Sequence, residues 1–214
     1  FIDGVRVTDK QDMHVVEMVL DGRINSELVA ALNQGSHHAV GLTGKDGRLL
    51  EAVRVRGARG EDLGEVGEVT RVRTELLSMF LEKGYVPVIS PTAIAAGTEG
   101  AVLNVNADDA AAAVAAALGA AKLIYLCDVA GVLHQGGLVS ELDAAGLEEA
   151  LLWPDVAGGM VAKLRAVQRA IEGGVASVHL IDGRLRHALI AELFTDAGVG
   201  TLVRGRPGSG APGI

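Results

Sequence analysis

Residues 102–128, VLNVNADDAAAAVAAALGAAKLIYLCD, carry the pattern on which the fold turns. Three polar side chains, Asn104, Asn106 and Asp108, alternate with Val105 and Ala107 where a strand or loop passes into a helix. The helix is almost all alanine, Ala110–Ala113 and Ala115–Ala117, and residues this small let it lie close to a sheet. Gly119 follows, and then Lys122 to Leu126, apolar from Leu123 onward, reads as a buried strand of the parallel-sheet kind.

The same alternation extends outward. Downstream, the spacing predicts a helix over Val161 to Gly173, a strand over Ser177 to Ile181, a helix over His187 to Phe194 and a short strand over Thr201 to Val203. Residues 205–214, rich in Gly and Pro, read as a loose tail. Upstream, Thr8 and Asp9 are N-cap candidates for a long amphipathic helix reaching Leu32. Ala39 to Leu42 reads as a strand, and Gly44-Lys45-Asp46-Gly47 as a turn leading to a hairpin partner over Leu49 to Arg56. A strand over Val66 to Val72 precedes a helix over Glu75 to Lys83, which Gly84 stops, and Val86 to Ile89 is a strand ended by Pro91. The expectation is an α/β fold with a mostly parallel central sheet, helices on both faces and hairpin insertions in the first half.

Composition narrows the chemistry. The 214 residues are 49% hydrophobic and only 3% aromatic, with a net charge of -8, so neither a basic stripe nor a base-stacking platform for nucleic acid is present. An anionic ligand would have to be held by backbone amides, helix N-termini, placed lysines and a metal ion. Cys127 is the single cysteine, which rules out an internal disulfide and suits a reducing cytoplasm. No apolar stretch reaches the roughly 20 residues of a membrane span. The six histidines lack metal-ligand spacing, so no structural metal is expected. The chain opens mid-pattern at FIDGVRVTD, without a signal-peptide pattern, and a preceding segment is expected.

Four segments could carry chemistry. At Asn104, Asn106 and Asp108 helix capping accounts for one polar residue, leaving two for a ligand or for nothing. Gly158-Gly159-Met160-Val161-Ala162-Lys163 sets two glycines before a helix and a lysine one turn inside it. The ammonium could there reach an anion on the exposed amides, or Lys163 could be an ordinary surface residue after a turn. The spacing is not that of a Walker A loop. Asp128 stands at the end of a buried strand, where it could serve a nucleotide or only begin a turn. Arg6, ahead of the first helix, could pair with a ligand carboxylate or remain solvated.

Taken in order, GVRVTD, VVEMVLDGRINSELV, AVGLTGKDG, LGEVGEV, GYVPVISP, NVNADDAAAAVA, LIYLCDVAGV, GGMVAK, GVASVHLIDGRLRH and ELFTDAGVGT resemble the acetylglutamate kinases of the amino-acid kinase family, from Phe1 to about Val203. The resemblance implies a two-lobed, three-layer α/β sandwich. It places acyl-amino-acid binding and dimerisation in residues 1–118 and ATP binding in residues 119–204. The implied reaction is phosphorylation of N-acetyl-L-glutamate by ATP with Mg²⁺. Arg6 and Asn104, with Asn106 beside them, would hold the substrate. Lys163 would stabilise the transferring phosphoryl group, Asp108 would organise the lysines around it, and Asp128, Gly158, Gly159 and Met160 would line the nucleotide.

The C-terminal pattern His187, Glu192, Gly198 and Gly200 is similar to that of arginine-inhibited members, which implies arginine as a feedback inhibitor. A homodimer or higher homo-oligomer is likewise implied. The family's N-terminal K-x-G-G lysine and the glycine-rich turn after the next strand are absent here, so this stretch alone is expected to be inactive. Cys127 stands where the family has Thr or Ser, and Ala162 and Arg186 where prolines are common. A related kinase of carrier-bound aminoadipate and a non-catalytic sensor of the same fold are the alternatives, and the joint presence of Asp108 and Lys163 argues against the sensor.

Overall fold

The computed structural model describes residues 7–97, 100–195 and 198–205. The chain divides into two compact units, Phe1–Ala110 and Ala111–Ile214.

In the first unit the Asp9 carboxylate caps helix α1 (Lys10–Val16), accepting from the amides of Gln11 and Asp12 at 2.7 and 2.8 Å. The helix continues through a π-helical stretch, Glu17–Ile24, into α2 (Asn25–Leu32). There follow β1 (His38–Thr43), β2 (Leu50–Arg56), β3 (Asp62–Val72), α3 (Glu75–Glu82), β4 (Tyr85–Ser90), β5 (Thr92–Ala95) and β6 (Val102–Val105). Strand β1 pairs in parallel with β4, while β2, β3, β6 and β5 close into a four-stranded ring. The ring's interior is tight: a Cβ on Gly67 would lie 2.8 Å from Leu103 Cδ1 and 3.1 Å from Ala52 Cβ.

The expected hairpin between β1 and β2 is not formed. A tight turn is present, with Gly47 and Arg48 at φ 57° and 56°, but it hands the chain from one sheet to another. Strand β2 carries the buried Leu50 and Ala52 into the ring, where β3 runs antiparallel and β5 parallel to it. The partner of β1 is parallel, and a two-residue turn cannot supply a parallel partner.

Polar bonds tie the first helix to these strands. Lys45, in the turn, reaches Glu17 Oε1 at 2.6 Å and Asp21 Oδ2 at 2.9 Å. Asp21 Oδ1 also accepts from the hydroxyls of Ser90 at 2.6 Å and Thr92 at 3.0 Å. Burial pushes the Lys45 ammonium down, but its bonds to Glu17 and Asp21 outweigh that and hold it above the ordinary 10.5. One turn further along, Asn25 Nδ2 donates to the carbonyls of Leu42 and Val88, the neighbouring strands β1 and β4.

Helix α4 (Ala107–Ala117) spans the boundary of the two units. The second unit contains β7 (Lys122–Cys127), the hairpin β8 (Leu133–His134) and β9 (Gly137–Leu138), β10 (Glu141–Leu142), α5 (Ala144–Ala150), α6 (Gly159–Glu172), β11 (Ser177–Asp182), α7 (Ala188–Phe194) and β12 (Thr201–Arg204). The sheet order is β10-β12-β11-β7, parallel except between β11 and β12. Leu164, Val167 and Ala170 of α6 are fully buried with Val178 and Leu180 of β11, at about 1.5–3 kcal/mol for each large apolar side chain. The alanines of α4 allow a close approach: a Cβ on Gly173, at the end of α6, would lie 2.6 Å from Ala116 Cβ. The class is therefore mixed α/β with parallel-rich sheets, and the described strands fall into four sheets.

Candidate functional site

The corner between β6 and α4 sorts its three polar side chains. Asn106 Oδ1 accepts from the amides of Asp108 at 2.9 Å and Asp109 at 3.2 Å, so Asn106 is the cap. Asn104, on β6, donates from Nδ2 to Thr8 Oγ1 at 3.1 Å, which ties it to the segment entering the first helix. Asp108 lies in the first turn of α4, where the helix dipole favours an anion. Capping thus explains one of the three residues and leaves Asn104 and Asp108 for other work.

Helix α6 begins without a side-chain cap. Gly158, at φ 56° and ψ -127°, enters it through a conformation that only glycine adopts readily, although a Cβ there would meet nothing within 4 Å. The backbone, not crowding, therefore demands this glycine. The space around Gly158 and Gly159 is open, and the amides of the first turn have no side-chain acceptor from the capping position. Met160, partly buried, packs against the core. Lys163, one turn in and half-buried, holds its ammonium 5.1 Å from the centroid of the Tyr125 ring. An uncapped helix start with a lysine one turn along can bind a phosphate through amides and charge together.

Asp128 follows β7 directly and is exposed. Across the end of the sheet, Asp182 of β11 accepts from Arg184 Nε at 2.9 Å, Nη2 at 2.8 Å and the Arg184 amide at 2.9 Å. These bonds hold the Asp182 carboxyl down at about 2. Arg184 is raised above its ordinary value, first by Asp182 and to a lesser degree by the charge of Asp128. Asp128, Asp182 and Arg184 thus share one edge of the second unit.

At the C-terminal end the structure gives three of the four expected effector residues packing roles. The Glu192 side chain is only 5% exposed: its Oε1 accepts from His179 Nδ1 at 2.6 Å and its Oε2 from the Val199 amide at 2.7 Å. With Nδ1 donating to the carboxylate, the buried Nε2 of His179 has no hydrogen-bond partner among the described residues. A Cβ on Gly200 would collide with the Leu180 carbonyl, and Gly198, at φ 59°, faces the Glu192 carboxylate. His187 precedes α7 in the left-handed region and accepts from Arg186 Nε at 3.2 Å.

Burial pushes the Glu192 carboxyl up, but the His179 bond, the Val199 amide and the charges of His179 and Lys122 outweigh it and hold it below 4.5. Its stabilising effect is therefore complete above the unfolded value and vanishes as pH falls through the lower folded one. Glu192→Gln is expected to lose about 2 kcal/mol at neutral pH. In urea titrations at several pH values, the gap from wild type should close below pH 4.5.

Arg6 lies outside the described residues, as does the tail beyond Gly205. Among the described residues no three His, Cys, Asp or Glu side chains gather as a metal cage requires, and no helix is long and apolar enough to cross a membrane. The sequence reading missed Tyr125 and His179. Tyr125 had a legible signal, a lone aromatic in an aliphatic strand, whereas His179 stands 13 residues from Glu192 with nothing local to link them.

Residues 2–182 match the amino acid kinase family. The acetylglutamate kinase of Thermoanaerobacter sp. (strain X514) is 45% identical over 207 residues, covering 95% of this chain and 68% of that protein. The acetylglutamate kinase of Thermosynechococcus vestitus is 46% identical over 209 residues, covering 96% and 69%. Among solved structures, the N-acetylglutamate synthase from Neisseria gonorrhoeae complexed with coenzyme A and N-acetyl-glutamate has a TM-score of 0.85 at 28% identity, over 96% of this chain. The chain spans only 46% of that synthase. With a match over most of its length and relatives at this identity, the chain belongs to the amino acid kinase family.

Proposed function

We propose that this protein transfers the γ-phosphoryl group of ATP to the side-chain carboxylate of N-acetyl-L-glutamate, the second step of arginine biosynthesis, in the cytoplasm. The observation that carries the reading is Lys163, one turn inside a helix that Gly158 and Gly159 open without a side-chain cap. The name shared by the relatives at 45% and 46% identity supports the choice of acceptor.

In the reaction a carboxylate oxygen forms a bond to Pγ as the bond from Pγ to the β,γ-bridging oxygen breaks. ADP leaves with that electron pair and N-acetyl-L-glutamyl 5-phosphate remains. A carboxylate is already a nucleophile, so positioning and charge neutralisation suffice. Lys163 meets the charge developing on the transferring group, and Asp108 orients the cationic groups around it. Arg6, Asn104 and Asn106 hold the acylated amino acid, while Asp128 and the turn from Gly158 to Met160 receive the nucleotide.

In this reading residues 1–118 serve the acyl amino acid and residues 119–204 serve ATP. Mg²⁺ would arrive on the nucleotide's phosphates and would neutralise part of their charge. Met18, Ile24, Leu28 and Leu32 are exposed along the first helix, which supports pairing into a homodimer or higher oligomer. Arginine is the proposed feedback inhibitor, acting at the region of His187, Glu192, Gly198 and Gly200.

Hydroxylamine trapping tests the reading directly. Full-length protein with Mg-ATP should yield a hydroxamate from N-acetylglutamate and none from carrier-linked aminoadipate. The reverse preference would reassign the substrate, and no product from either would leave a sensor. Added arginine should lower the rate, and rates unchanged to millimolar arginine would reject the inhibitory part.

A further inference from the structure

We infer that Tyr125 is a positioning residue for phosphoryl transfer, holding the ammonium of Lys163 by a cation–π contact. The inference rests on the kinase reading and adds to it a residue that neither caps, donates to nor accepts from the phosphate. The Lys163 ammonium is 5.1 Å from the centre of the Tyr125 ring, inside the range in which a ring face attracts a cation.

The ring itself is fixed. Leu123, Tyr125 and Cys127 alternate toward the core of the second unit, and Tyr125 is only 5% exposed. The parallel ladder pairs Tyr125 with Leu180 of β11, which sets its height along the sheet. Lys163 lies on α6 beside the fully buried Leu164 and Val167, so the helix fixes the root of its side chain. A lysine side chain loses much rotamer freedom when it is fixed, and a rigid aromatic face removes part of that freedom before substrate arrives. The ring attracts the ammonium through its face and does not itself neutralise the charge. An aliphatic residue would fill the same core position and give none of this.

The test compares full-length wild type, Tyr125→Phe, Tyr125→Met and Tyr125→Leu, each alone and with Lys163→Ala, using Mg-ATP and N-acetylglutamate. Tyr125→Met and Tyr125→Leu should lower kcat by about 3- to 10-fold with an unchanged KM for N-acetylglutamate. Tyr125→Phe, which keeps the ring, should restore turnover to within about twofold. In the Lys163→Ala background the aliphatic substitutions should have no further effect, as expected of residues acting through one group.

Equal kcat for the Phe and aliphatic variants would overturn the inference, as would the same fold-loss without Lys163. Should either aliphatic variant fail to fold, NMR decides on the wild type: the Lys163 ε-methylene protons should show an upfield ring-current shift, and its absence overturns the contact. A Lys163→Ala enzyme as active as wild type would overturn the kinase role of Lys163 itself, a result distinct from a failure at Tyr125 alone.

Discussion

Lys163→Ala should lower kcat by about 100-fold or more while the protein keeps its fold. The two halves of this expectation come from different parts of the same helix. Leu164, Ala166, Val167, Ala170 and Ile171 form the buried face of α6, and Lys163 is not among them. Alanine is also the better helix former, so the backbone gains slightly. What disappears is one positive charge beside an uncapped helix start, the charge that in the kinase reading meets the transferring phosphoryl group. Circular dichroism and urea midpoints should match wild type as the hydroxamate signal falls. Wild-type turnover in the substituted protein would remove Lys163 from the catalytic machinery.

How much of this could be read from the chain depended on the range of the forces involved. The alanine helix, the buried strand at Lys122 and the glycine-led start of α6 are set by neighbours within a few residues, and their limits fell close to where periodicity placed them. The first long helix and its Asp9 cap were legible for the same reason. Strand partnership was not, because Asp46-Gly47 specifies a turn but not the sheet to which the next strand belongs. The short strands β5, β8, β9 and β10 offer too few residues for a period, and α5 is one of the shorter helices. Within the site, spacing brought Asn104, Asn106 and Asp108 to notice but could not say which one caps the helix. Contacts between distant segments, Tyr125 with Lys163 and His179 with Glu192, were invisible until the sheet set their registers.

The largest stability effect is expected at Asp21, which joins the first helix to the turn and strands beside it. Asp21→Ala removes the acceptor shared by the hydroxyls of Ser90 and Thr92 and one of the two carboxylates on Lys45. Ser90 and Thr92 are buried, so water cannot replace the lost acceptor without opening the structure. Lys45 keeps Glu17, which limits the loss, and about 3 kcal/mol is the expected cost. For a chain of this length that corresponds to about 6–12 °C in Tm. Removing the donors as well, with Ser90→Ala and Thr92→Val, should recover part of the loss, because a polar group without a partner is what makes the single change expensive. A Tm within a degree of wild type for Asp21→Ala would show that the network contributes nothing net.

Trp153 is the sole tryptophan of the chain, and its indole stacks on the His134 imidazole at 4.0 Å and 26°. His134 closes the small hairpin β8–β9, so selectively excited fluorescence reports on that one hairpin. Contact with a neighbouring imidazole affects indole emission, which makes the signal sensitive to separation of the two rings. An optical probe of this hairpin is therefore native to the protein, and its changes on adding ATP could be followed without attaching a dye.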